Sequence, residues 1–150
     1  MPTKEDPDVL YSDWATQQRA YHNTRVLCDL SGLTLEEKNL ICACIMVESE
    51  FYNYLPDGQP TKHENLNADG SLSSTDWGLC QINDWFHVAP HGAPFASVEF
   101  VLANPRACVQ WMITCYKQGL LGQWDSYLHG SYRQYLIPTS AMFKLATPLP

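Results

Sequence analysis

The stretch from Thr34 to Phe51 constrains this chain more than any other. Thr34-Leu-Glu-Glu37 is a capping-box pattern: a threonine hydroxyl and a glutamate three positions on satisfy each other's backbone donors and fix where a helix begins. An apolar run follows through Phe51. Within it Ile41, Cys44, Ile45 and Glu48 fall at spacings of three, four and seven, so they share one helix face. A carboxyl group therefore ends an otherwise apolar stripe. Burial there disfavours the charged form and predicts a raised pKa for Glu48. That is what a general acid needs if it is to hold a proton near neutral pH. The stripe alone leaves a second reading open, a glutamate at a frayed and solvated helix end.

Around this helix the punctuation of the sequence predicts the remaining elements. Leu10, Trp14 and Tyr21 predict a first amphipathic helix from Asp8 to Cys28, opened by Asp6-Pro7 and ended by Ser31-Gly32. Pro56, Asp57-Gly58 and Pro60 mark the stretch from Phe51 to Asn67 as loop. Asn67-Ala-Asp-Gly70 is a turn signal, and the segment through Asn83 suits a short hairpin-like sheet. Asn104-Pro105 reads as an N-cap with proline at the first helical position. Cys108, Trp111, Met112 and Cys115 form the stripe of that helix, and Gly119 stops it. Trp124, Tyr127, Leu128, Tyr132, Tyr135 and Leu136 predict one more helix, weakened by Gly130. The expected architecture is α+β and mostly helical, with one small antiparallel sheet. One domain over residues 1–136 would carry a C-terminal tail, 137–150, packed on its surface.

At 150 residues a single domain buries roughly 70% of the surface its unfolded chain exposes, enough for a core without a staple. The six cysteines fit that reading. Cys42 and Cys44 point to different helix faces, and Cys108 and Cys115 stand about 10 Å apart on one face, too far to bridge. Reduced, mostly buried thiols are expected, with no metal site and no cofactor, since no Cys/His ligand spacing occurs. A net charge of -7 argues against nucleic acid as a partner. No run approaches the roughly 20 apolar residues of a membrane span. Met1 to Asp8 are polar with two prolines and no apolar run behind them, which predicts a protein made in the cytoplasm without a signal peptide.

Ser74-Thr75-Asp76-Trp77-Gly78 puts a second acid in the predicted sheet, with Gln81-Ile82-Asn83 beyond it. Asp76 is short and flanked by hydroxyls, surroundings that favour the ionised form; a plain turn or hydrogen-bonding role is the alternative. Two carboxyl groups in opposite environments are the pair that glycosidic cleavage requires. Glu50 and Glu64 are weaker candidates, the first directed away from the apolar face and the second in a polar loop. His87 and His91 flank Pro90 in a predicted surface loop.

Glu48-Ser49-Glu50-Phe51, Asn67-Ala-Asp-Gly-Ser71 and Ser74-Thr-Asp-Trp-Gly-Leu-Cys-Gln-Ile-Asn83 together resemble the core of the lysozyme superfamily. The likeness is to animal-type lysozymes and to bacterial and phage lytic transglycosylases alike. It spans roughly Glu36 to Leu136 and is specific from Glu48 to Asn83. The resemblance implies a lysozyme-like fold with its sheet beside an active-site cleft. Glu48 would be the catalytic acid and Asp76 the second carboxylate, with Gln81 and Asn83 lining the saccharide groove. Ser49 and Thr75 adjoin the two acids and would support them. Trp77 either stacks on a sugar ring or belongs to the core. Tyr127-Leu-His-Gly130 is loosely similar to the transglycosylases' Tyr-Asn-Ala-Gly motif, whose tyrosine hydrogen-bonds the catalytic glutamate; Tyr127 either takes that role or is a core tyrosine. Two features depart from the family: the long stretch from Phe51 to Asn67, and cysteines that do not fall where animal lysozymes place disulfides.

The implied activity is that of a peptidoglycan muramidase. It would hydrolyse the β-1,4 bond between N-acetylmuramic acid and N-acetylglucosamine. A lytic transglycosylase forming 1,6-anhydromuropeptides and a non-catalytic lysozyme-fold module are the rival readings. The implied partner is the glycan strand of the cell wall. The setting is a phage endolysin or a virion component, with other virion or secretion-apparatus proteins as further partners. The acidic charge favours delivery by a larger assembly, because a free enzyme acting on an anionic wall gains from positive steering.

Overall fold

The computed structural model describes residues 13–136 and 142–146. Helix α1, Gln17–Leu30, begins where the Thr16 side chain accepts the Arg19 N–H at 3.1 Å. It starts later than the Asp8 expected from periodicity. Residues 13–16 are not helical, and Asp6 to Leu10 lie outside the described residues. Trp14 is nonetheless buried ahead of the helix, which explains why it read as part of the apolar stripe.

Helix α2, Leu35–Ser49, carries the capping box in full, with Glu37 N to Thr34 Oγ1 at 3.2 Å and Thr34 N to Glu37 Oε1 at 2.9 Å. Ile41 to Met46 are all buried, so over this stretch the helix is covered on every side and lies in the core. It stops abruptly. Glu50 and Phe51 both take positive φ, 53° and 63°, a conformation that costs non-glycine residues roughly 1–2 kcal/mol each. Full burial of Phe51, edge-on to Tyr21 at 5.3 Å, offsets this, since a buried phenylalanine contributes about 1.5–3 kcal/mol. The hook leaves Glu48 in the final turn.

A three-stranded antiparallel sheet follows, in the order β1-β2-β3: β1 Lys62–Leu66, β2 Leu72–Trp77 and β3 Ile82–Asn83. The Asn67–Gly70 turn closes the β1–β2 hairpin as expected, with Asn67 N to Ser71 O at 2.8 Å. β1 corrects the reading of the whole Phe51–Asn67 stretch as loop. Its Lys-His-Glu-Asn-Leu sequence is mostly exposed and has no apolar alternation to announce a strand. Pairing with β2, Lys62 opposite Trp77 and Asn65 opposite Ser74, forms it.

The β2–β3 turn is pinned from below. Gly78 N donates to Thr61 O at 2.7 Å, Leu79 N donates to Asn53 Oδ1 at 3.0 Å, and Asn53 Nδ2 reaches Leu102 O at 2.8 Å. Gly78 sits at φ 76°, and a Cβ added there would stand 2.8 Å from Asn53 Oδ1. Gly78→Ala is therefore expected to destabilise the fold by about 1–3 kcal/mol, read as a lower urea midpoint. An unchanged midpoint would show that the turn accommodates a side chain.

Four further helices and two 3₁₀ turns complete the described chain up to Tyr135: α3 Asp84–His87, α4 Val98–Ala103, α5 Pro105–Lys117, 3₁₀ Leu121–Gln123, α6 Asp125–Leu128 and 3₁₀ Ser131–Tyr135. Pro105 opens α5 as expected, but the Asn104 side chain does not cap it and donates to Phe100 O at 2.9 Å instead. Gly119, at φ 76°, ends α5, with Leu120 N returning to Cys115 O at 2.8 Å. The single helix expected over Trp124–Leu136 is broken into α6 and a 3₁₀ turn, because Gly130 reverses the backbone at φ 77° between them. Helix α7, Met142–Leu145, buries both of those residues in the same core; residues 137–141 and 147–150 of the expected tail lie outside the described ones.

The molecule is thus mostly helical with one small antiparallel sheet. All six cysteines are free and buried. Burial pushes the Cys42 and Cys108 thiols up to about 12, so they behave as small apolar side chains. Among the described residues no helix is long and apolar enough to cross a membrane.

Candidate active site

A cleft of about 590 Å³ opens between the sheet and the later helices, and Glu48 and Asp76 both line it. Glu48 reaches it from the last turn of α2. Its Oε2 accepts the backbone N–H of Ser126 at 3.2 Å. Burial raises the pKa of its carboxyl group, against the opposing pull of Ser126, and the negative charges of Asp125 and Asp76 add to the rise. The Ser49 hydroxyl beside it donates to Leu79 O at 2.6 Å, tying the end of α2 to the β2–β3 turn. That bond fixes the acid's helix relative to the sheet.

Asp76 projects from β2 on the face it shares with Asn65, Ser74 and Asn83. Asn83 Nδ2 donates to its Oδ1 at 2.9 Å and Asn65 Nδ2 to its Oδ2 at 3.2 Å. The same two amides also reach Ser74 Oγ. Two cross-strand amides therefore hold the carboxylate, where its sequence neighbours Ser74 and Thr75 were expected to. Thr75 is buried and donates its backbone N–H to Asp84 Oδ1 at 3.0 Å, which continues the β2 edge onto α3.

The other residues named from sequence are placed as follows. Asn83 lines the cleft, but its side chain is fully engaged: Oδ1 caps α3 through Trp85 N and Phe86 N, and Nδ2 holds Asp76 and Ser74. Gln81 is buried at φ 51° with Nε2 donating to Gly78 O and Thr61 O, so it braces the turn from the cleft floor. Trp77 points from the opposite face of β2, where Nε1 donates to Asp84 Oδ2 at 3.2 Å, and is not among the cleft's lining residues. Tyr127 is likewise not among them. It is partly exposed, and its ring stacks on Tyr132 at 5.5 Å. The backbone of its neighbour Ser126 takes the place expected for it against Glu48. Glu50 and Glu64 are exposed, away from the cleft.

The wall facing the two acids is aromatic, and sequence reasoning did not assign it. Phe86, His87, Trp111 and Trp124 line it. Trp111 lies 5.4 Å from Trp124 and 4.6 Å from the His87 ring, and Trp124 Nε1 is anchored on Cys80 O at 2.7 Å. His87 was expected in a surface loop; it ends the one-turn α3, half-buried in the cleft. Burial lowers its pKa, against the Ala93 backbone, the Asp76 charge and Gln123, which raise it. Among the described residues lining the cleft it is the one side chain able to become cationic, beside the carboxyls of Glu48, Asp76 and Asp125. Asn83-Asp84 ahead of Trp85-Phe86-His87 is an N-cap pattern that could have announced α3.

Chemically the cleft offers a carboxyl group on Glu48 whose pKa burial raises, a carboxyl group on Asp76 that accepts two amide hydrogen bonds, and apolar ring faces opposite them. Among the described residues no group of three or more His, Cys, Asp or Glu is arranged to hold a metal ion. Comparison with family models, curated proteins and solved structures gives no match to this chain, so a functional reading rests on the cleft and on the sequence motifs that build it.

Proposed function

We propose that this protein is a lysozyme-type muramidase that hydrolyses the β-1,4 bond between N-acetylmuramic acid and N-acetylglucosamine in peptidoglycan strands. One observation carries the reading: two carboxyl groups with different partners line a single open cleft. Glu48 is held toward its protonated form by burial, and Asp76 accepts two amide hydrogen bonds. Glu48 gives its proton to the glycosidic oxygen as the bond to the anomeric carbon breaks. Asp76 stabilises or traps the oxocarbenium-like centre, and water completes the hydrolysis. Phe86, Trp111 and Trp124 supply faces against which sugar rings pack. A core helix ending in one acid, followed by a three-stranded sheet bearing the other, supports a lysozyme-like fold. The site of action in this reading is the cell wall, reached as a phage lysis enzyme or as part of a virion.

The test is mass spectrometry of muropeptides released from purified peptidoglycan. Reducing-end products are expected. Anhydro products, lighter by one water, would assign a lytic transglycosylase instead, and no release would leave a binding module. The pH profile gives an independent check. Because Glu48 must be protonated and burial raises its pKa, kcat is expected to fall on the alkaline side with a midpoint above the ordinary glutamate value of 4.5. A midpoint at or below that value would remove Glu48 as the acid.

A further inference from the structure

Ser126, in the single turn of α6, touches Glu48 without itself lining the cleft. Its backbone is engaged at both ends: the N–H donates to Glu48 Oε2 at 3.2 Å, and the carbonyl accepts the Ser131 hydroxyl at 3.4 Å. Its own hydroxyl is different. Ser126 is 1% exposed, and its Oγ has no hydrogen-bond partner among the described residues. A hydroxyl in that condition has given up its bonds to water without replacing them, which is costly and rare in a folded chain. Two acids lie beside it. Burial raises the pKa of Glu48, and the Ser126 hydroxyl is the first of the groups that pull it back, ahead of the N–H of the same residue. The Cys44 thiol, one turn before Glu48 on the same face of α2, is pushed up to about 12 by burial and is opposed by that hydroxyl too. The hydroxyl is thus close to two acids and bound to neither.

We infer that Ser126 is a positioning residue for Glu48, its hydroxyl held in reserve for the carboxylate that proton donation leaves behind; the assignment rests on the muramidase reading. In the resting cleft the acid keeps its proton and takes one donor, the Ser126 N–H. When the proton passes to the glycosidic oxygen, the bond from that oxygen to the anomeric carbon breaks and its electron pair stays on the oxygen. Glu48 is left negative in a buried place. The Ser126 hydroxyl then turns to it as a second donor, since a hydroxyl proton rotates to suit its acceptor. A hydrogen bond to an ionised group is about twice as strong as one between neutral groups, so this one strengthens as the charge develops and lowers the barrier. When water returns a proton to Glu48, the hydroxyl is released. Cys44 does not compete for it, because a thiol held at about 12 stays neutral. The other titratable groups around Glu48 cannot take the part of donor. Asp76 on β2 and Asp125 on α6 are acids whose charges repel the new one, and Cys80 in the β2–β3 turn is a buried thiol. His87 stands on the opposite wall, Arg133 of the 3₁₀ turn packed on α2 lies over the Tyr132 ring, and no lysine or arginine lines the cleft among the described residues.

Ser126→Ala tests this, because it keeps the N–H and removes only the hydroxyl. The side-chain carboxyl carbon of Glu48, identified by its loss in Glu48→Gln, is followed by NMR as pH is raised with no substrate present. Taking a donor from the charged form favours the protonated one, so the Glu48 midpoint in Ser126→Ala is expected to move to higher pH, by about tenfold in proton affinity. At pH 4 the variant should melt no lower than wild type, since the hydroxyl has no partner to lose while Glu48 is protonated. On peptidoglycan strands kcat should fall about tenfold with KM unchanged, and the alkaline midpoint of kcat should move up with the titration. An unmoved Glu48 midpoint would overturn the proposal whatever the strands show. A lower melting point at pH 4 would make the hydroxyl a structural group and overturn it as well, as would a moved midpoint with an unchanged kcat. Wild type that releases no muropeptides would instead remove the muramidase reading, a failure that the substrate-free titration keeps distinct from the loss of the Ser126 bond.

Discussion

Glu48→Gln is expected to abolish lysis of peptidoglycan, with a rate loss of about 10²–10⁴, the usual worth of general acid catalysis. Glutamine keeps the shape of the side chain and can still accept the Ser126 N–H that Oε2 now receives at 3.2 Å. What it cannot do is give a proton to a leaving oxygen. The same variant makes a stability statement whose sign follows from burial. The folded-state pKa of Glu48 is raised, so its contribution is full below the unfolded value and is lost as pH rises through the folded value. A side chain that does not ionise escapes that loss. Glu48→Gln should therefore melt no lower than wild type at pH 7, with the difference closing toward pH 4. Lysis within about tenfold of wild type would remove Glu48 from the mechanism, and a lower melting point at pH 7 would contradict the raised pKa.

The position of Glu48 was legible because it depends on one helix. The capping box sets the start of α2 and the 3.6-residue period sets its faces, so Ile41, Cys44, Ile45 and Glu48 could be aligned without knowing what packs on them. Asp76 was legible as an acid in a strand, but its partners were not. The amides that hold it come from Asn65 and Asn83, one on each neighbouring strand, and only the register of the sheet brings them to it. β1 itself gave no signal, because an exposed strand held by pairing needs no apolar alternation. The aromatic wall shows the same limit from the other side. Trp111 was read correctly as part of a helix stripe, yet the stripe says only that the face is covered. That its covering is Trp124 and His87, with the cleft beyond, depends on how α5, α3 and the Leu121–Leu128 segment meet. Tyr127 was placed by motif likeness. The break of the chain at Gly130 instead turns that ring onto Tyr132 and presents the Ser126 amide to Glu48.

Asp76→Asn is expected to lower the hydrolysis rate by about 10²–10³, the usual effect of removing one preorganised electrostatic group from a transition state. The substitution removes the charge and also sets an amide donor where Asp76 accepts from Asn65 Nδ2 and Asn83 Nδ2. One of those donors must then turn away, and Asn83 also caps α3, which carries Phe86 and His87. Loss of geometry has to be separated from loss of charge, and Asn83→Ala does so. It withdraws one of the two amides that hold Asp76, the bond from that amide to Ser74 Oγ, and the α3 cap, while keeping the carboxylate, so it should cost less than Asp76→Asn if charge is what stabilises the oxocarbenium-like centre. If the protein were a transglycosylase, Glu48 would serve as acid and then as base, with the muramic 6-hydroxyl as nucleophile. Asp76 would then only position substrate, Asp76→Asn and Asn83→Ala would be similarly mild, and wild-type products would be anhydro-muropeptides. Reducing-end products together with an Asp76→Asn rate within about tenfold of wild type would keep hydrolysis and remove Asp76 from it, leaving Glu48 as the single carboxyl group that the reaction uses.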